Sequence, residues 1–429
     1  MKKKITIHPI LRVNGEIDLP GSKSISNRVL LLSSLSNGKT LIKNFLFSED
    51  TEHMIIALKK IGFLIECDIV KNTILIVGSK KKFNFKKKIS IFLGNAGTAM
   101  RPLISIFSLY NNNVKLYGNS RMNCRPIKHL VEALRYGGAK IKYENIYGFP
   151  PITLLGGFSG GKIYLNGKIS SQFLTSILIA SPLAKNNTEI FIKKKLVSKP
   201  YVNITIKLMK IFGIKVFNKN YSYFKIHGNQ NYISPKIFFV EGDASSASYF
   251  LAAAAIKGGS VKVNGIGKKS IQGDVKFVKI LKKMGSNITI NKNNIIVKRG
   301  FLKSIELDMN NMPDVAMTVA ILALFSKGKT IIKNIYNWRV KETDRISAMS
   351  SELKKIGAII KEGKDFIEIN PPEEFISCNI KTYEDHRMAM CFSLIALSEK
   401  KITILNPNCV NKTFPEYFKN LFSISYFKK

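Results

Sequence analysis

Apolar and polar positions along this chain repeat with a beat of about seventy-two residues. One marker is an apolar residue, basic or polar positions and then glycine, followed by a β-branched stretch. It occurs at Leu58-Lys59-Lys60-Ile61-Gly62 and returns at 134–138, 208–213, 281–285 and 353–357, so that the glycines at 62, 138, 213, 285 and 357 are 76, 75, 72 and 72 residues apart. Each predicts a helix C-terminus, where basic side chains complement the dipole and glycine takes the left-handed closing conformation. A second marker keeps the same beat: a polar or small-residue turn opening a helix of small apolar residues. Its six instances begin near Lys23, Asn95, Ser171, Asp243, Asp314 and His386, at spacings of 72, 76, 72, 71 and 72. Most are followed by a Gly/Lys/Asn turn, a short strand such as 329–334, and a second helix.

Six such units nearly fill the 429 residues. Helices alternating with β-branched strands predict α/β layers with helices packed on sheet. A unit of roughly 70 residues buries too little core to stand comfortably alone, so the units are expected to group three and three. Grouping by halves places the break near Val240 to Asp243.

Hydrophobic residues make up 45% of the chain and charged residues 22%, a globular balance that excludes a disordered tail protein. No apolar run approaches the roughly 18 residues of a membrane span, and the basic amino terminus lacks the apolar segment of a signal peptide. A cytoplasmic location is therefore expected. Cys67, Cys124, Cys378, Cys391 and Cys409 lie far apart, which argues against a disulfide framework or a structural zinc site.

The net charge is +40. Such an excess invites a nucleic-acid reading, but it consists of 58 Lys and only 10 Arg. The lysines scatter with Asn and Ile through surface-like stretches such as 80–88, a pattern of compositional drift. Where Lys is plentiful, a rare Arg marks a need for a flat, forked guanidinium that grips carboxylate or phosphate. Arg28, Arg101, Arg125, Arg345 and Arg387 all stand in the recurring motifs.

Helix N-termini carry partial positive charge and unpaired N–H groups, so they bind anions. Here they also carry cations and hydroxyls: Lys23, Ser24 and Arg28; Arg101; Ser170, Ser171 and Gln172; His386 and Arg387. Singly, each is an ordinary cap or surface residue. Together they point to a site for a multiply anionic small ligand. Asp314 reads either as a helix cap or as an acid/base group. Glu342 reads either as half of a surface ion pair or as an acid between Lys341 and Arg345, which share a face if the segment is helical. No phosphate loop, dinucleotide fingerprint, nucleophile elbow or metal-ligand spacing appears.

Four segments carry a family resemblance: Leu19-Pro-Gly-Ser-Lys-Ser-Ile-Ser-Asn-Arg28, Gly94-Asn-Ala-Gly-Thr-Ala-Met-Arg-Pro102, Arg339-Val-Lys-Glu-Thr-Asp-Arg345 and Asp385-His-Arg-Met-Ala-Met390. With Ser170-Ser-Gln172, Val197-Ser-Lys-Pro-Tyr201, the segment Glu241 to Ala247 and Lys412-Thr-Phe-Pro415, they resemble the signatures of the 5-enolpyruvylshikimate-3-phosphate synthases. The resemblance implies two globular α/β domains, each of three repeated units of the inside-out barrel type, with the active site in the interdomain cleft. It also implies that the amino-terminal strand belongs with the second half. The domains would be 22–240, and 1–21 plus 241–429, with hinge crossovers near 20–22 and 240–242.

The reaction so implied joins shikimate 3-phosphate and phosphoenolpyruvate with release of phosphate, through a tetrahedral intermediate and without metal or cofactor. By matching motif, shikimate 3-phosphate would meet Lys23, Ser24, Arg28, Ser170, Ser171, Gln172, Ser198, Asp314, Asn337 and Lys341. Phosphoenolpyruvate would meet Lys23, Gly97, Arg125, Gln172, Arg345, Arg387 and Lys412. The catalytic residues would be Asp314, taking the 5-hydroxyl proton, Glu342, protonating the methylene carbon, and Lys23, bridging both ligands. These small anions are the expected partners of a monomer that engages neither nucleic acid nor membrane. Two departures, Cys124 beside Arg125 and the loss of an acidic residue near Asn406, touch none of these contacts. The nearest rival is the sister transferase acting on a UDP-amino sugar, which would carry a loop cysteine; Cys124 is in the wrong context. A second rival is a basic RNA-associated protein.

Overall fold

The computed structural model describes residues 3–79, 87–111 and 113–427; positions 80–86 of the basic 80–88 stretch lie outside the described residues. The chain divides into two compact units, one of residues 21–240 and one of 1–20 with 241–429. Among the described residues there are six separate sheets, three in each unit, none closed into a barrel.

All six small-residue turns open helices: Lys23–Leu35, Gly97–Phe107, Ser171–Ala180, Ala244–Lys257, Ala316–Leu324 and His386–Ser393. These helices are almost completely buried, their polar residues included. Small residues let them approach one another, so that within each unit they pack together while the sheets lie outside them. The five marker glycines follow the second helices of their units with φ between +86° and +107°, the left-handed closure their positions predict.

Four of the sheets contain a parallel pair joined through a buried helix: Ile89–Phe92 with Val114–Tyr117, Gly161–Asn166 with Thr188–Lys193, Glu306–Asp308 with Thr330–Lys333, and Cys378–Lys381 with Ile402–Leu405. The strand Thr330–Lys333, for example, runs parallel to Glu306–Asp308 and antiparallel to Ile367–Asn370. Both ends of the chain enter the same unit: Lys4–Ile7 pairs antiparallel with Ile402–Leu405, and Ile10–Asp18 lies between Gly258–Asn264 and Ser425–Phe427. The other unit is finished by its own last strands, with Tyr232–Ile233 and Ile237–Phe239 joining Ser36–Lys43 in parallel. No described helix is long and apolar enough to cross a membrane.

Candidate active site

The five motif arginines are the buried ones: Arg28, Arg101, Arg125, Arg345 and Arg387 are between 1% and 7% exposed. Arg12, Arg121, Arg135, Arg299 and Arg339 all keep more contact with solvent. Guanidinium groups are rarely buried without a partner or a task, so the surroundings of each are described unit by unit.

In the 1–20/241–429 unit, the candidate residues form a charge network. Asp314 Oδ1 accepts from Lys341 Nζ at 3.3 Å and Arg345 Nη1 at 3.2 Å, and its Oδ2 accepts from Arg387 Nη2 at 3.1 Å. Arg345 also donates to Glu342 Oε2 at 2.8 Å and makes a fork onto Asp385, at 2.7 and 3.2 Å. Asp385 caps the His386–Ser393 helix by accepting from the Arg387 N–H at 2.9 Å, and Arg387 reaches the buried Tyr249 hydroxyl at 3.0 Å. Three cations thus face three carboxylates. Burial opposes ionisation of Asp314, but Arg387, Lys341 and Arg345 outweigh it and hold the carboxyl well below its usual range. For Lys341 burial has the upper hand and lowers the ammonium, although Asp314 opposes the shift.

Two sequence expectations are corrected here. Lys341 and Arg345 do not share a helical face, because Asp344 caps the helix by accepting from Ser347 N–H at 3.2 Å and helical structure begins only at Arg345. Asp314 does not stand at the N-cap position of the following helix, which Val315 occupies. The groups meet instead through the chain's single tryptophan. Trp338, in the turn Tyr336–Val340, donates its indole N–H to Pro313 O at 2.7 Å and so ties the segment preceding Lys341 to the turn that carries Asp314. Asn337 in that turn and Lys412 at the end of Pro407–Lys412 are both buried, 5% and 6% exposed.

In the 21–240 unit, Lys23 pairs with the buried Asp50 at 2.9 Å. Arg125 donates to the Asn95 carbonyl and side chain at 3.0 and 2.9 Å, and Arg101 donates to Gln172 Oε1. A Cβ added at Gly97 would lie 2.6 Å from Arg101 Nη1 and 3.0 Å from Arg125 Nη2, so only glycine leaves both guanidinium groups undisturbed. Ser170 caps its helix by accepting from Gln172 N–H, which holds Ser171 and Gln172 in the first turn. Ser198 precedes Lys199–Ile211 with φ +53°, a left-handed conformation uncommon for a residue with a Cβ. Arg28 donates to Thr205 Oγ1 at 2.9 Å and to the Ser24 carbonyl at 2.7 Å. Ser24 opens the same helix as Lys23.

The partner residues Asp50, Asn95, Thr205, Tyr249 and Asp385 were not among the predicted site residues. Asp385 and Asn95 stood inside quoted motifs, where their acceptor oxygens beside a buried arginine were the available signal. Asp50, Thr205 and Tyr249 had none.

The model of the family described as EPSP synthase (3-phosphoshikimate 1-carboxyvinyltransferase) matches residues 7–421. A protein of Buchnera aphidicola subsp. Baizongia pistaciae named 3-phosphoshikimate 1-carboxyvinyltransferase is 60% identical over 424 residues, 99% of each chain. A Cronobacter sakazakii protein of the same name is 54% identical over 99% of this chain and 100% of its own length. Among solved structures, an EPSP synthase from Acinetobacter baumannii aligns with a TM-score of 0.81 at 25% identity, covering 99% of this chain and 98% of the other. With its buried arginines, paired carboxylates and repeated α/β units all in place, this chain belongs to the EPSP synthase family.

Proposed function

We propose that this chain transfers the enolpyruvyl group of phosphoenolpyruvate to the 5-hydroxyl of shikimate 3-phosphate with release of phosphate, a step of aromatic amino-acid biosynthesis. The observation that carries the proposal is the carboxylate of Asp314 held by Lys341, Arg345 and Arg387, with Glu342 on the same Arg345. Acid/base groups and anion-binding cations share one network, as the addition of a hydroxyl to an enol phosphate requires.

Both substrates are phosphorylated carboxylates. At about 4 Å and an effective dielectric near 20, each pair of facing unit charges repels by about 4 kcal/mol. Lys341, Asn337 and the 21–240 residues Lys23, Ser24, Arg28, Ser170, Ser171, Gln172 and Ser198 would bind shikimate 3-phosphate. Arg345, Arg387 and Lys412, with Lys23, Gly97, Arg125 and Gln172, would bind phosphoenolpyruvate. Asp314 then takes the proton from the 5-hydroxyl as its oxygen bonds to the central enol carbon, while Glu342 protonates the methylene. The resulting tetrahedral adduct loses a proton from the new methyl group and expels phosphate, restoring the double bond. General acid/base steps of this kind contribute about 10²- to 10⁴-fold, and alignment of the reactants supplies much of the rest.

Ligand anions compete with Asp314 for its cations. As Arg345 and Arg387 turn to phosphoenolpyruvate, the carboxyl rises toward its ordinary range, so the base gains strength when substrate is present. The reading makes the enzyme a cytoplasmic monomer that uses no metal or cofactor. It also requires residues of both units to meet one pair of ligands; a radius of gyration unchanged by adding both ligands, in small-angle scattering, counts against ligand-driven closure.

The deciding assay is phosphate release requiring both substrates, repeated with Asp314→Ala and Glu342→Ala. Both variants should lose at least about 100-fold in kcat; full turnover in both refutes the proton-transfer roles. Turnover with a UDP-amino sugar and none with shikimate 3-phosphate would replace the proposal with the sister reaction. The RNA reading requires steeply salt-dependent RNA affinity that is indifferent to Lys23 or Arg387.

A further inference from the structure

Arg28 is 6% exposed, and both of its acceptors are uncharged: the Thr205 hydroxyl on its Nε–H at 2.9 Å and the Ser24 carbonyl on Nη1 at 2.7 Å. Burial pushes its guanidinium down to about 10, with Tyr201 opposing the shift only in part. The contrast with Arg345, which faces three carboxylates, is sharp. A buried cation whose acceptors among the described residues are neutral oxygens keeps its charge available to an incoming anion.

The hydroxyl that holds it is itself fully specified. Thr205 Oγ1 lies 3.2 Å from the Tyr201 carbonyl, which can only accept, so the single Thr205 proton goes there. Its two lone pairs remain for Arg28 Nε–H and for Thr175 Oγ1 at 3.0 Å, which fixes Thr175 as donor. Thr205 and Thr175 are 0% and 2% exposed, so no water competes. This chain of bonds joins Lys23–Leu35, Ser171–Ala180 and Lys199–Ile211. Those are the three helices whose starts carry Lys23 and Ser24, Ser171 and Gln172, and the residues following Ser198.

We infer that Thr205 is a positioning residue for the phosphorylated cyclitol carboxylate substrate: oriented by Thr175 and Tyr201, it fixes the Arg28 fork and the register of three helix starts. The inference rests on the assignment of Arg28 to shikimate 3-phosphate and deepens it. Thr205 touches no substrate. A carboxylate at this position would grip Arg28 more firmly but would neutralise the charge the substrate needs; a hydroxyl gives direction without that loss.

The experiment is steady-state kinetics with both substrates varied, on Thr205→Val, Thr205→Ser, Thr175→Val and Arg28→Gln. Valine matches the shape of threonine but leaves the Arg28 Nε–H buried and unsatisfied, so the KM for shikimate 3-phosphate should rise about 10-fold. The KM for phosphoenolpyruvate and kcat should stay within about 2-fold, the signature of lost uniform binding. Serine keeps the hydroxyl and should restore wild-type values. Thr175→Val removes only the supporting donor and should have an effect of about 2- to 3-fold. Thermal melts accompany each variant, and if Thr205→Val does not fold, the comparison is made with Thr205→Ala against Thr205→Ser.

An unchanged KM for shikimate 3-phosphate in the hydroxyl-less variant overturns the inference. So does a serine variant as impaired as valine, or a loss spread equally over kcat and both KM values, since packing alone would produce either. If Arg28→Gln also leaves that KM unchanged, the underlying assignment of Arg28 fails instead; if it raises KM while Thr205→Val does not, only the positioning role fails.

Discussion

Replacing Asp385 with asparagine removes one charge from the centre of the network while leaving its shape almost intact. Asp385 is 0% and Arg345 is 1% exposed, and they share two hydrogen bonds of 2.7 and 3.2 Å. Breaking a buried pair by removing one partner costs about 3–5 kcal/mol, because the other charge stays behind in low dielectric. Arg345 keeps Glu342 and Asp314, which favours the lower figure, about 3 kcal/mol. The amide oxygen can still accept from Arg387 N–H, so the helix cap survives. For a unit of this size, about 2–4 °C of melting temperature per kcal/mol translates the loss into a drop of roughly 6–12 °C.

The control lies in the same unit. Asp344 also caps a helix and also pairs with an arginine, Arg339, at 2.9 Å, but the two side chains are 41% and 23% exposed. Exposed pairs contribute at most about 1 kcal/mol, so Asp344→Asn should shift the melt by no more than about 4 °C. Differential scanning calorimetry of both variants at neutral pH makes the comparison, and the KM for phosphoenolpyruvate reports whether Arg345 and Arg387 have lost their aim. If Asp385→Asn melts within about 2 °C of Asp344→Asn, burial is not what gives the pair its weight and the reasoning fails.

Other outcomes follow from the same geometry. The folded pKa of Asp314 lies below that of an unfolded aspartate, about 3.9, so its ionised form contributes stability above that pH and loses it as pH falls through the folded value. The stability gap between wild type and Asp314→Asn, from urea unfolding across a pH series, should therefore be widest at about pH 5–7 and close below about pH 4; a gap that widens on acidification contradicts the ion-pair assignment. Gly97→Ala should push Arg101 or Arg125 aside at about 1–3 kcal/mol and raise the KM for phosphoenolpyruvate by on the order of 10-fold. Cys391 is fully buried and burial pushes its thiol up to about 12, so iodoacetamide near pH 8 should label the exposed Cys67 and Cys124 and spare Cys391 until urea is added. Mass spectrometry reads the result.

Much of the architecture was visible in the chain because it depends on local chemistry. Glycines 62, 138, 213, 285 and 357 stand where a left-handed residue must close a helix, and the small-residue turns stand where helices approach too closely for large side chains. The rare arginines were also legible, since a charge that must be forked and buried stands out against a background of lysine. Hidden were the partners of those arginines. Asp50, Thr205, Tyr249 and Asp385 lie 27, 177, 138 and 40 positions from Lys23, Arg28, Arg387 and Arg345, respectively. At such distances no periodicity registers a contact. The misplaced helix at Lys341 has a related cause: spacing by four suggested a shared face, but the Asp344 cap and the Trp338 anchor set the start of the helix, and neither belongs to the pattern.

The two strands at the amino terminus have a consequence for how the protein is made. Lys4–Ile7 is synthesised long before its hydrogen-bonding partner Ile402–Leu405. At about 5–20 residues per second, synthesis of the intervening chain takes on the order of 20–80 seconds. Throughout that interval an apolar ribbon has no edge to join, while residues 21–240 carry every strand of their own three sheets and can mature behind it. Its pairing therefore waits until Ile402–Leu405 is made, and until then the segment stays open to proteases and to other chains.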